Sequence, residues 1–164
     1  MARIEPSAYK PILQYHFMVS FDQLSLSSGK TVTDNYARGT SLPKVSNNSV
    51  KLDYGNTYAW YKGKTTWEDI TMRFYGLEQP DTNSIMWNYL NMHQGIEDGS
   101  DNYKDTYAFD MIVQLMSPDE NPIGKFKLVN AYIENLDFGE VDWANEDILS
   151  PEITFKYDYC LWES

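Results

Sequence analysis

Apolar and polar residues alternate along most of this chain, and the alternation sets the elements. Residues 12–22, ILQYHFMVSFD, place Leu13, Tyr15, Phe17, Val19 and Phe21 on one face, the period-two pattern of a half-buried strand. A polar stretch with Gly29 follows, and TVTDNYARGTSL at about 31–42 predicts a second strand. Pro43 ends it, having no N–H to give a ladder. Residues 44–65, KVSNNSVKLDYGNTYAWYKGKT, hold two short alternating segments around Asn47-Asn48 and Gly55-Asn56, which predicts a long projecting hairpin with an exposed tip. Its Tyr54, Tyr58, Trp60 and Tyr61 are many aromatics for a solvent-facing segment. Either they form a contact surface or they fold back onto the core.

Residues 66–75, TWEDITMRFY, alternate through Ile70, Met72 and Phe74 before Gly76 and Pro80 break the pattern. Asp81 then predicts an N-cap for a helix through about residue 94. On that helix Ile85, Tyr89 and Met92 share a stripe, with Met86 and Leu90 beside it, and Gly95 stands at the C′ position. The segment 97–105, EDGSDNYKD, reads as an acidic loop. Three strands close the chain. Residues 106–116 put Tyr107, Phe109, Met111, Val113 and Leu115 on one face. After a Pro118–Gly124 turn, residues 125–138 switch apolar phase from Phe126 and Leu128 to Val129, Ala131 and Ile133, which predicts a bulge or a strand buried on both sides. Residues 152–162 carry Ile153, Phe155, Tyr157, Tyr159 and Leu161 in one phase. The pattern is mainly β: about seven or eight strands with one helix, in a single domain over residues 1–164, with no internal repeat.

Composition supports this. Thirteen Tyr, seven Phe and five Trp make the chain 15% aromatic, which suits pleated, half-buried surfaces. The single cysteine, Cys160, excludes an intramolecular disulfide and a cysteine-based zinc site. The first residues, MARIEPSAYK, lack the apolar core of a signal peptide, and no run of about 18 apolar residues predicts a membrane span. The net charge of −11 is uneven: residues 1–96 carry eight acids and nine bases, a balance of +1, while residues 97–164 carry sixteen acids and four bases, a balance of −12. Such a surface disfavours tight binding to a nucleic-acid backbone, which needs clustered Lys and Arg.

Nothing in the sequence assembles a catalytic constellation. His16 sits in a predicted strand and His93 near a helix end, both ordinary structural places. The common nucleophile, zinc and phosphate motifs are missing. The acidic loop does not have EF-hand spacing, because Asp98, Ser100 and Asn102 lack the Gly and the final Glu that such a loop requires. Neither a metal nor a cofactor is expected, and no particular pair among the acids is singled out as a glycosidase pair.

Three blocks in order carry a resemblance. They are Tyr36-Ala37-Arg38-Gly39-Thr40-Ser41-Leu42-Pro43 after the early strand, then Gly63-Lys64-Thr65-Thr66-Trp67-Glu68-Asp69-Ile70-Thr71-Met72 before the helix, and the ending from Asn135 to Glu163. That ending contains Leu136, Val141-Asp142-Trp143, Glu152-Ile153-Thr154-Phe155 and Leu161-Trp162-Glu163. Together they resemble the tail tube proteins of contractile-tailed, T4-like bacteriophages. The stretch at 97–105 and the start at Pro11 depart from that family's pattern.

The resemblance implies a β-sandwich or half-barrel with one flanking helix and a long projecting hairpin, whose inner sheet closes into a barrel on oligomerisation. It implies a non-enzymatic virion protein whose hexameric rings stack into the inner tail tube and conduct DNA to the host during sheath contraction. Implied partners are further copies of the chain, a sheath protein, and baseplate and tail-terminator proteins. DNA passes the lumen without specific binding, and no membrane is involved. The place implied is the tail of the virion, with assembly in the host cytoplasm. Under this reading Tyr54, Tyr58, Trp60 and Tyr61 are candidate contacts between rings. Six copies at −11 give −66 per ring, and Asp110, Glu134, Asp137 and Asp158 are candidate lumen acids that keep DNA from sticking. A baseplate tube initiator or an injection-system tube protein shares the fold and stands as the alternative. From a different class, a monomeric carbohydrate-binding β-sandwich is also acidic and rich in Trp and Tyr, and a hydrolase is a third, weaker rival.

Overall fold

A computed structural model describes residues 10–21, 37–78 and 81–164 of the chain. Among them run β1 (Phe17–Phe21), β2 (Ala37–Thr40), β3 (Val45–Tyr54), β4 (Thr57–Trp67), β5 (Ile70–Phe74), α1 (Thr82–His93), α2 (Lys104–Tyr107), β6 (Phe109–Met116), β7 (Pro122–Asp137), β8 (Glu152–Lys156) and β9 (Tyr159–Glu163). The fold is mainly β, a curled half-barrel with few helices. Its antiparallel sheet runs β1-β6-β7-β8-β5-β2, with β9 also paired to β7, while β3 and β4 form a separate two-stranded ribbon.

The inner face of the curl is the core. Val19, Ile70, Met72, Met111, Val113 and Leu128 are fully buried, and Ile70 with Met72 and Met111 with Val113 stand two residues apart as a period of two demands. Helix α1 closes the open side with Ile85, Met86 and Tyr89. Asp81 caps it as expected, its carboxylate accepting from the backbone N–H of Asn83 and Ser84 at 3.1 and 3.2 Å. Buried Thr82 ties the helix start to the end of β5, donating to the carbonyl of Tyr75 at 3.2 Å and accepting from the N–H of Leu77 at 3.1 Å. The side chain of Met92, expected on the same stripe, lies outside the described residues, as do residues 31–36 of the expected second strand.

Several expectations need correction. The first strand begins at Phe17, because a turn through residues 14–15, closed by the His16 N–H on the Leu13 carbonyl, leaves Tyr15 exposed and puts His16 ahead of the strand. Gly95 is not a left-handed C′ residue. The helix ends at Gln94, which is extended, donates to the Leu90 carbonyl and bridges to Asp101. Residues 104–107 form the short helix α2, so Tyr107 precedes the sixth strand rather than opening it.

The largest correction concerns the end of the chain. Residues 152–162 alternate without interruption, yet β8 and β9 are separated by a kink at Tyr157-Asp158. Both pair with β7, Tyr132 opposite Lys156 and Val129 opposite Tyr159. At the same level β7 carries the bulge that its phase switch predicted, with Asn130 at φ 54° and the register against β6 shifting between Phe109 and Met111. Inward positions therefore move by one. Leu128 is followed by Ala131 on β7, and past the kink Cys160 packs against the core, leaving Tyr159, Leu161 and Trp162 about half-exposed.

Candidate functional site

The hairpin is longer than expected. Its strands run to Trp67 and join at Gly55-Asn56, where Gly55 has φ +59° and takes the first central position of a tight turn, a conformation glycine adopts without strain. Asn47-Asn48 is not a second turn. It faces a bulge, with the register shifting between Asn47 and Ser49, and a Cβ at Gly63 would stand 2.9 Å from the Asn48 carbonyl oxygen. At the base, Trp67 packs beside Tyr157 with ring centres 6.0 Å apart, and Glu68 N–H bonds the Lys44 carbonyl at 3.0 Å. Beyond that base the ribbon extends roughly 30 Å at the usual rise per residue.

Every residue of β3 is exposed. Of the expected contact aromatics, Tyr54 is 83% exposed, Tyr58 and Trp60 62% each, and Tyr61 57%, so they do not fold back onto the core. Residues opposite one another across a pair share a face. Lys51 faces Trp60 and Asp53 faces Tyr58, so one face carries those four side chains. Lys51 lies over the Tyr58 ring at 4.7 Å and pairs with Asp53 at 2.9 Å. The other face holds Val50 opposite Tyr61, Leu52 opposite Ala59, and Tyr54 opposite Thr57. It is nearly all apolar. The structure thus splits the four predicted aromatics between two faces, Tyr58 and Trp60 on one, Tyr54 and Tyr61 on the other.

The expected lumen acids are found in local pairs. Asp110, on the β6 face away from the core, meets Lys127 at 3.3 Å and accepts from the Asn130 N–H at 3.2 Å. Asp158 meets Lys104 at 2.6 Å and accepts from the Asn130 side-chain amide at 2.9 Å. The Lys104 ammonium, followed by that amide, holds the Asp158 carboxyl below the usual carboxylate range. These two acids clamp the left-handed Asn130 from both sides, at the level where the sheet changes phase. Glu134 meets Lys156 at 2.9 Å, and the hydrogen bond from that ammonium lowers its carboxyl likewise. Asp69, not singled out in the sequence, joins the pair at 3.8 Å from Lys156, and partial burial, then its neighbour Glu134, pushes its carboxyl up. Asp137 instead accepts the Gly139 N–H at 2.9 Å in a local turn.

With Lys125 paired to Glu163 at 2.8 Å, each of the four lysines after residue 96 is matched to an acid on a strand or, for Lys104, at the β8–β9 kink. The excess negative charge of that half therefore lies mostly in its loops and turns. Residues 138–151 carry Glu140, Asp142, Glu146 and Asp147 and no base. The loop is pinned where it meets β5: Gly76 N–H bonds the Leu149 carbonyl at 2.7 Å and Phe74 N–H bonds the Pro151 carbonyl at 2.9 Å. Its start is held by Phe138, whose ring lies 6.3 Å from that of Trp87 on α1. Between these anchors Val141 is 89% exposed, Ile148 61% and Trp143 fully. Sequence reasoning used Val141-Asp142-Trp143 only as part of a resemblance. The run of acids without a base around an aromatic was the signal for a surface.

No family model matches the chain, and no curated protein matches it in sequence. Solved structures do. A chain of the sheath–tube complex of an extracellular contractile injection system in its extended state superposes with a TM-score of 0.73 at 17% identity, covering 99% of each chain. A chain of the anti-feeding prophage baseplate gives 0.72 at 11% identity over 94% of this chain and 96% of its own. A type six secretion system protein gives 0.55 at 11% identity, over 89% and 81%. The chain shares its fold with these components of contractile injection systems.

Proposed function

We propose that this chain is a structural tube subunit of a contractile particle, whose copies close into rings and stack into a channel. The observation that carries the reading is a ribbon with two exposed aromatic faces on a fold otherwise matched end to end by a chain of a sheath–tube complex. A two-stranded ribbon alone in water is marginal, and its apolar area needs cover that the described residues do not supply. The free edges of a curled sheet have the same need, and ring closure with neighbouring copies meets it.

The finer reading keeps six copies per ring, a sheath and a baseplate as partners, and DNA as cargo in a phage tail. Support for six-fold order is that one similar chain comes from a baseplate described as 6-fold symmetrised. For the cargo, paired strand acids make a wall with few bases free to grip phosphate, which favours sliding over binding. An extracellular injection particle with another cargo is the second reading, favoured by the origin of two of the similar folds. The sugar-binding rival calls for a flat aromatic platform, whereas the Tyr58 and Trp60 rings stand at 80° to each other.

Electron microscopy of the purified protein at increasing concentration tests the reading. Rings or tubes with a central channel are expected, and assembled tubes retain no double-stranded DNA at moderate salt. A protein that stays monomeric throughout sinks the proposal.

A further inference from the structure

Two surfaces of this chain carry charge that their own surroundings leave unmatched, and the signs are opposite. Residues 44–67 hold Lys44, Lys51, Lys62 and Lys64 against Asp53 alone, a balance of +3, and among the described residues no ion pair reaches Lys44, Lys62 or Lys64. The loop at 138–151 holds four acids and no base, a balance of −4, and among the described residues none of the four is ion-paired. Each surface also exposes large apolar groups, Tyr58 and Trp60 on one, Val141, Trp143 and Ile148 on the other. In the single chain both sets face solvent. The strands behind the loop behave differently, with every lysine there paired to a nearby acid.

We propose that the lysine-rich hairpin of one copy docks on the 138–151 loop of another copy. The proposal rests on the reading that copies of this chain assemble, and it names the two patches that meet. The aromatic rings supply a desolvated centre and the charges form the rim, the arrangement in which rim pairs steer and orient while buried rings hold. The patches are different, so the contact is heterologous: it propagates from copy to copy and can build rings or stacks. The anchored base of the loop suits it to receive a ribbon, since little order remains to be gained on docking.

Charge reversal tests this in the full chain. The hairpin variant is Lys62→Glu/Lys64→Glu, the loop variant is Glu140→Lys/Glu146→Lys, and the third protein carries all four substitutions. All these side chains are exposed, so equal melting of the variants and parent controls for folding. Sedimentation velocity reads the concentration at which half the protein assembles. Each single-surface variant is expected to need about tenfold more protein or beyond, from like charges brought together, and the four-fold variant is expected to return to near the parent value. Loss in the single-surface variants without rescue in the combination overturns the pairing. Assembly lost by the hairpin variant and kept by the loop variant also overturns it, and assigns the loop to a different protein. A parent that assembles with both variants unimpaired overturns the docking while leaving the tube reading intact, whereas a parent that never assembles removes both.

Discussion

The hairpin and the main sheet are written in the same alphabet and end in opposite surroundings. Val50, Leu52, Tyr58 and Trp60 alternate as regularly as Met111, Val113, Ile153 and Phe155, yet the first set is more than half exposed and the second is buried. What separates them is the cover. Helix α1 and the curl of the sheet close over one face of β6, β7 and β8, while among the described residues β3 and β4 pair only with each other. Alternation records that a strand has two faces. It does not record whether the molecule covering a face is the same chain or the next one.

The comparison sharpens first at Phe155, which is 1% exposed and lies 6.0 Å, centre to centre, from both Phe21 and Phe109. Phe155→Ala is expected to cost about 3–5 kcal/mol in urea unfolding, from lost burial and the cavity left behind. A cost under about 1 kcal/mol would show that the core is looser than its packing indicates. Trp60→Ser/Tyr61→Ser removes as much aromatic surface from the ribbon. Stability of the free chain should move by no more than about 0.5–1 kcal/mol, while the assembled fraction falls sharply, because the rings work as anchors between copies. If this variant melts as far below the parent as Phe155→Ala does, the two regions are not different in kind and the hairpin belongs to the core.

Much of the fold was legible because local rules settle it. The Asp81 cap, the α1 stripe, the hairpin and the β7 bulge follow from residue type and period, and the structure has each of them. The break between β8 and β9 was not legible. Tyr157, Tyr159 and Leu161 keep a perfect phase, and the shift is imposed from across the sheet by Asn130 on β7 and its clamp to Asp158. A long-range contact of that kind leaves no trace in local periodicity. The same holds for the strand acids: Asp110, Glu134 and Asp158 stood out by charge, but their lysine partners lie 17, 22 and 54 residues away, so the pairing appears only when the strands meet. Their place relative to a channel belongs to the assembly rather than to the chain.

The smallest expected effect separates sheet charges from loop charges by pH. The Asp158 carboxyl lies below its ordinary value because the fold offers it the Lys104 ammonium and the Asn130 amide. A carboxyl lowered by folding stabilises the fold at any pH above its unfolded value, about 3.9, and that contribution disappears as pH falls through the folded value. Asp158 is partly exposed, so solvent screening limits the pair to less than about 1 kcal/mol. Urea unfolding of the parent and of Asp158→Ala at pH 7 should therefore show a small gap in favour of the parent, and the gap should close as the pH is taken below the folded value. The loop acids have no ion-pair partner among the described residues, so Glu140→Gln/Glu146→Gln should leave chain stability level across the same range while weakening assembly at neutral pH. Salt gives the cross-check, since a Debye length that shrinks from about 8 to about 3 Å between physiological and molar salt weakens an exposed docking rim more than a pair held at 2.6 Å. A gap for Asp158→Ala that widens on acidification would mean the carboxyl carries a proton in the folded sheet, and the clamp around Asn130 would then not be ionic.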